Sequence, residues 1–176
     1  MKPFFLFFIS ILIIIQAASS QTLIKSTCKI SVANDPNIDY NFCTTSLLPA
    51  PASRCATLAG LGSIAIRLVR YNLTDTRCHI KMLLTNKTLD PYIKQCLDGC
   101  FELYSDAISS VKDAMRYYKA GKFNDANLQI SSVLDASTTC EDGFIEGEVV
   151  SPLRKRNNDM LQLSAIVLSI MRIRAR

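Results

Sequence analysis

Three pairs of cysteines in this 176-residue chain are mirrored about turn signals. Cys28 and Cys43 have their midpoint between Asp35 and Pro36, inside the turn sequence Asn34-Asp35-Pro36-Asn37. The midpoint of Cys100 and Cys140 is Ala120, beside Gly121, and that of Cys78 and Cys96 is Lys87, within the polar stretch Asn86-Lys87-Thr88. Residues equidistant from a tight turn lie at equal heights on two antiparallel helices, so the pattern predicts helical hairpins stapled across by disulfides. Height is half of the requirement, because a bridge also needs Cα atoms within about 7 Å and side chains that face each other. Each closed loop is expected to add roughly 3–4 kcal/mol in the chain-entropy picture. Cys55 has no mirror partner and is left as a free or dimerising thiol in a chain otherwise expected to be monomeric.

Such staples need an oxidising compartment, and the N-terminus supplies the route to one. Lys2 precedes the apolar run Phe4 to Ile15, followed by Gln16-Ala17-Ala18-Ser19-Ser20, a pattern that reads as a signal peptide over residues 1–20 cleaved before Gln21. The run is shorter than the roughly 20 residues a bilayer requires, and no second long apolar run follows. The expectation is a secreted, extracellular protein of the cell wall or the vacuole, with no membrane attachment after signal removal.

Residues 21–176 have the length of one domain. An N-terminal helical hairpin is expected over 21–48, then the stiff connector Pro49-Ala50-Pro51-Ala52-Ser53 within a unit spanning 49–176. That unit carries helical periodicity. Leu97, Phe101, Tyr104, Ile108, Val111, Met115 and Tyr118 alternate in steps of four and three; Phe123, Ala126, Ile130, Val133, Cys140 and Phe144 do the same with Ser137 filling one position. Met160, Leu163, Val167 and Ile170 give a final stripe, and Leu58, Leu61, Ala65 and Leu68 an earlier, less regular one, with Gly60 and Gly62 in its first turns. Asp90-Pro91 and Ser151-Pro152 read as helix starts, and Asn157-Asn158-Asp159 as a second capping cluster ahead of the last stripe. The predicted fold is all-α: an up-down-up-down four-helix bundle preceded by a helical hairpin and stapled by disulfides.

Composition argues against most chemistries. The formal net charge is +5, concentrated at Arg154-Lys155-Arg156 and Arg172 to Arg176 without interleaved aromatics, so nucleic acid is not an expected partner. His79 is the sole histidine. Cys78 and His79 with Cys96 and Cys100 make a poorer zinc site than a set of bridges, no metal or cofactor is expected, and Glu141-Asp142 reads as solvated or capping rather than as an acid–base pair. There is no nucleophile-elbow or phosphate-loop motif. A binding protein fits better than an enzyme.

Three segments carry a resemblance: Tyr40-x2-Cys43-x3-Leu47, Cys100-x3-Tyr104-x2-Ala107, and Thr139-Cys140-Glu141-Asp142-Gly143-Phe144. Together they resemble the plant invertase/pectin methylesterase inhibitor family, most closely its plane-tree pollen allergen type. The resemblance implies the same bundle, bridges Cys28–Cys43 and Cys100–Cys140, and no catalytic residues. It implies as partner either an acid invertase (β-fructofuranosidase) or a pectin methylesterase; a non-inhibitory, allergen-like protein is the further alternative. Cys55, Cys78 and Cys96 are extra to the four cysteines usual in the family.

Invertase-directed members of that family place Pro-Lys-Phe in the loop between the third and fourth bundle helices, where this chain reads Gly121-Lys122-Phe123. On the resemblance, Lys122 would pair with the carboxylates of a glycosidase cleft while Phe123 packs on its wall. The same residues also read as a helix C-cap, a solvated charge and the first core residue of the next helix. Two glycosylation sequons, Asn72-Leu73-Thr74 and Asn86-Lys87-Thr88, complete the candidate sites.

Overall fold

The computed structural model describes residues 21–50, 52–53 and 56–175. The expected signal peptide and Cys55 lie outside these residues. Six helices follow one another: α1 (residues 21–34), α2 (Tyr40–Leu47), α3 (Leu58–Leu83), α4 (Pro91–Lys119), α5 (Phe123–Glu146) and α6 (Arg154–Arg174), with no strand among the described residues. Helices α3 to α6 close a ring in which α3 and α5 each pack against both α4 and α6, while α2 lies across α3 and α6.

Local chemistry sets the starts. Asp39 accepts from the Phe42 amide, and Asp90 accepts from the Tyr92 and Ile93 amides with Pro91 in the first turn. The Thr57 hydroxyl accepts from the Gly60 amide, which anchors α3 despite its two early glycines. Gly62 is retained for space: a Cβ there would stand 2.1 Å from the Tyr118 hydroxyl oxygen.

The seam of α4 differs from the expected stripe in alternate positions. Leu97, Tyr104, Val111 and Tyr118 are buried, but their companions are Cys100, Ala107 and Ala114, whereas Phe101, Ile108 and Met115 are half-buried at the edge. The small side chains allow α5 to approach until the Cα atoms of Cys100 and Cys140 are 5.0 Å apart, and the large ones wall the contact. Helix α5 buries Ala126, Ile130, Val133, Ser137, Cys140 and Phe144, with Ala136 in addition.

Helix α6 departs further from a single stripe. Between Met160 and Met171 all residues except Leu161 and Leu168 are buried, including Gln162, Ser164 and Ser169. The N-terminal hairpin is the reason. It covers the side of α6 that a bare four-helix ring would leave wet, and Gln162 Oε1 accepts from the Asp39 amide at 2.9 Å. Nor does α6 start at Asn157-Asn158-Asp159. It starts at Arg154, behind a turn in which the Ser151 hydroxyl accepts from the Leu153 amide.

Disulfides join Cys28 to Cys43 and Cys100 to Cys140, across sequence separations of 15 and 40. The third expected bridge is absent: Cys78 is an exposed thiol and Cys96 a half-buried one. Side-chain direction explains this. Cys96 precedes Cys100 by one helical turn and so shares its face, toward α5. Its Sγ lies 3.4 Å from the Gly143 carbonyl oxygen of α5, pointing away from α3.

Candidate functional site

The α4–α5 connection is three residues long, and hydrogen bonding dictates its shape. Gly121 has φ +73°, the left-handed conformation that ends helices, and this lets its amide donate to Tyr118 O (3.2 Å) while the Lys122 amide donates to Tyr117 O (3.0 Å). The paired bonds satisfy the last carbonyls of α4 and turn the chain directly into α5. Lys122, the N-cap residue of α5, is exposed, and Gly121 beside it is exposed as well.

Phe123 opens α5 and is half-buried. Its ring meets Tyr118 edge to face, with centroids 5.6 Å apart and planes at 65°. The Arg174 guanidinium at the end of α6 lies over both rings, 4.8 Å from the Phe123 centroid and 5.0 Å from that of Tyr118. Tyr118 in turn donates its hydroxyl hydrogen to Ala59 O of α3 at 3.1 Å. All four bundle helices therefore hold the base of the tip. Phe123 serves as a first packing residue of α5, and it retains partial exposure beside Lys122.

Next to the turn is an open depression of about 550 Å³ lined by Gly121, Lys122, Phe123, Asn124, Asp125 and Arg174. The chain direction of α4, α5 and α6 brings Arg116, Lys119, Lys122, Arg172 and Arg174 to this end. Against them stand Asp125 and Asp113, the latter paired with Arg116 at 3.0 Å. A basic pole with an exposed ammonium in its turn and an aromatic ring beside it suits a concave, carboxylate-lined partner.

The other end of the bundle carries a polar cluster that sequence reading assigned elsewhere. Asn157, taken as a cap, is buried within α6: its Oδ1 accepts from the Tyr104 hydroxyl (2.7 Å), and its Nδ2 donates to Glu141 Oε2 (2.7 Å). Ser151 also donates to Glu141 Oε2 (2.8 Å), and Arg154 pairs with Oε1 at 3.5 Å. Burial, with the Glu141 carboxylate nearby, holds the Tyr104 phenol far above its ordinary range. Every member is committed to another, so the cluster ties α4, α5 and α6 together. The signal was present in the sequence, because Asn157 lies three residues before Met160 and extends the α6 stripe backward by one step.

The remaining candidates are dispersed. His79 is half-buried on α3, with its pKa lowered by burial and by Arg156, against the opposing pull of Asp75. Burial raises the pKa of Cys96, which keeps it a thiol rather than a nucleophilic thiolate. The set Cys78, His79, Cys96 and Cys100 does not assemble, since Cys100 is oxidised and Cys96 faces α5. Among the described residues no group of His, Cys, Asp or Glu is arranged to hold a metal, and no helix is long and apolar enough to cross a membrane. Asn72 is half-buried on α3, and Asn86 is exposed between α3 and α4.

Comparison with known proteins gives a consistent picture. Residues 22–170 match the family model described as plant invertase/pectin methylesterase inhibitor. A "Putative invertase inhibitor" of Platanus acerifolia is 40% identical over 169 residues, covering 96% of this chain and 94% of that protein. A pectinesterase inhibitor of Actinidia deliciosa is 32% identical over 120 residues, 68% of this chain and 64% of the relative. Among solved structures, a mutant form of a pectin methylesterase inhibitor from Arabidopsis superposes with a TM-score of 0.71 at 22% identity, over 82% of this chain and 96% of that one.

Proposed function

The chain belongs to the plant invertase/pectin methylesterase inhibitor family, and we propose that it inhibits an acid invertase by inserting Lys122 into the enzyme's active-site cleft. The family is one of inhibitors, not catalysts. One observation carries the choice of target and site: an exposed lysine in the three-residue turn that opens α5, on a pole whose cations outnumber its carboxylates. Glycosidases of this kind work with paired carboxylates, and a basic tip both steers toward such a cleft and pairs within it. Phe123, with Tyr118 and Arg174 behind it, supplies an apolar shoulder that needs little ordering on contact. Gly121 is held by the bonds that close α4, which offsets the freedom expected of glycine in place of the family's proline.

We place the working protein in the apoplast, with residues 1–20 removed before Gln21. A second reading, inhibition of a pectin methylesterase, is favoured by the similarity to the Actinidia inhibitor. Titration of the secreted protein against an acid invertase and a pectin methylesterase separates the two. Stoichiometric loss of sucrose cleavage is expected. Lys122→Glu should weaken it by roughly 10- to 100-fold, in line with about 1.4–2.8 kcal/mol for reversing a paired interfacial charge. Invertase inhibition undiminished in Lys122→Glu/Phe123→Ala sinks the proposed site, loss of methanol release from pectin instead moves the target, and no effect on either enzyme leaves a non-inhibitory protein.

A further inference from the structure

We propose that Asn86 carries an N-linked glycan and that Asn72 does not, so that the sugar sits at the pole opposite Lys122. The two sequons are equivalent as sequence but stand in contrasting surroundings. Asn86, Lys87 and Thr88 are all exposed in the loop between α3 and α4. Asn86 Oδ1 accepts from the Thr88 amide (3.0 Å) and from the Thr88 hydroxyl (2.8 Å), a self-contained turn. Its Nδ2 has no partner among the described residues. A sugar on that nitrogen therefore breaks no bond and displaces no packed group.

Asn72 is placed differently. It is half-buried on α3, with Val69, Leu73 and Thr76, all fully buried, at the helical spacings of −3, +1 and +4. The buried Thr76 hydroxyl donates to Asn72 Oδ1 at 3.5 Å, and the Thr74 hydroxyl is turned back onto Arg70 O at 2.9 Å. A glycan here would leave from the rim of the packed face of α3 and hinder the docking of a neighbouring helix. Chains modified at Asn72 would fold poorly and be lost before secretion.

The modification is a group transfer in the secretory lumen from a lipid-linked oligosaccharide diphosphate. Nδ2 bonds to the anomeric carbon of the first sugar, the sugar–phosphate bond breaks, the lipid diphosphate departs, and Nδ2 gives up one proton. Lumenal entry depends on the signal peptide read at residues 1–20. The placement has a consequence for the tip. Helix α4 has 29 residues, a length of roughly 43 Å, and Asn86 precedes it while Lys122 follows it. A glycan on Asn86 shields the α3–α4 end and leaves the basic pole clear.

The test is expression of the full chain in a plant or insect secretory host, with intact-mass and glycopeptide analysis of protein from the medium. The expected result is the mass of one glycan, lost on enzymatic deglycosylation and in Thr88→Ala, and unchanged in Thr74→Ala. Deglycosylation should leave the inhibition titre within twofold. Secreted protein unmodified at Asn86, a glycan on Asn72, or failure of the chain to enter the secretory lumen each overturns the proposal. None of these outcomes bears on whether Lys122 is the inhibitory residue, which the enzyme titration decides separately.

Discussion

The α3–α4 and α4–α5 hairpins both carry cysteines at mirrored heights, yet one pair is bridged and the other is not. In the α4–α5 hairpin, Cys100 and Cys140 both lie on facing seams lined by small residues, and the helices come close enough to join them. In the α3–α4 hairpin Cys96 is turned toward α5 and Cys78 toward solvent. Here Arg77 occupies the interface: its Nε donates to Ser105 Oγ at 2.7 Å and its guanidinium lies 4.4 Å above the Phe101 ring. Farther toward the basic pole, Gly62 admits Tyr118. One hairpin is held covalently, the other by shape and hydrogen bonding. Chain connectivity brings mirrored residues level, and only rotation about the helix axis decides whether they meet.

Removing the covalent staple should have the largest effect. Cys100→Ala/Cys140→Ala opens a loop of sequence separation 40 and is expected to cost about 4 kcal/mol in urea unfolding, the chain-entropy value for that length. A loss below about 1 kcal/mol would mean that the bridge restrains little. Next comes the close approach that serves the other hairpin. Gly62→Ala sets a methyl against the Tyr118 hydroxyl and should destabilise by about 1–3 kcal/mol, because the buried tyrosine cannot swing away without giving up its bond to Ala59 O. It should also disturb the stack under Phe123, visible as a change in tyrosine near-ultraviolet dichroism.

A smaller effect sharpens the contrast. Cys78→Ser should change stability by less than about 0.5 kcal/mol, as an exposed substitution does, and native thiol labelling should modify Cys78 before Cys96. Resistance of both to labelling, with a destabilisation near 3 kcal/mol, would restore the third bridge and erase the difference between the hairpins. The smallest expected effect is pH dependence at the neighbouring His79. Its pKa in the folded protein lies below the ordinary 6.5, so the unfolded chain binds the proton first as pH falls. The stability this group contributes is present above 6.5 and is lost as pH drops through that value toward the folded one. His79→Gln should flatten the stability profile in that window, and an unchanged profile would remove His79 as its source.

Much of this molecule is legible in its residues. The periodic stripes, the Asp90-Pro91 start and Gly121 as a helix end each rest on chemistry that acts within a few residues, and they locate α4, α5 and the turn between them. The missing third bridge was not: spacing sets Cys78 level with Cys96, and only the packed helices turn Cys96 toward α5 and Cys78 toward solvent. Harder to read were the positions whose environment is made by distant chain. Asn157 has the composition of a cap, but α4 and α5 surround it with Tyr104 and Glu141. Gln162, Ser164 and Ser169 look like an outer face until the N-terminal hairpin covers it.

The sequence by itself determined that this protein is helical, where α4 and α5 run, and that Gly121 ends the first of them, since periodicity and capping are local interactions. Tertiary structure decided the azimuth of each side chain around its helix, and with it which cysteines join, which asparagine is open to solvent, and what supports Phe123. Those outcomes depend on how four cylinders and a hairpin share one core. A rotation of a fraction of a turn, invisible in residue spacing, moves a side chain from a neighbour's surface into solvent.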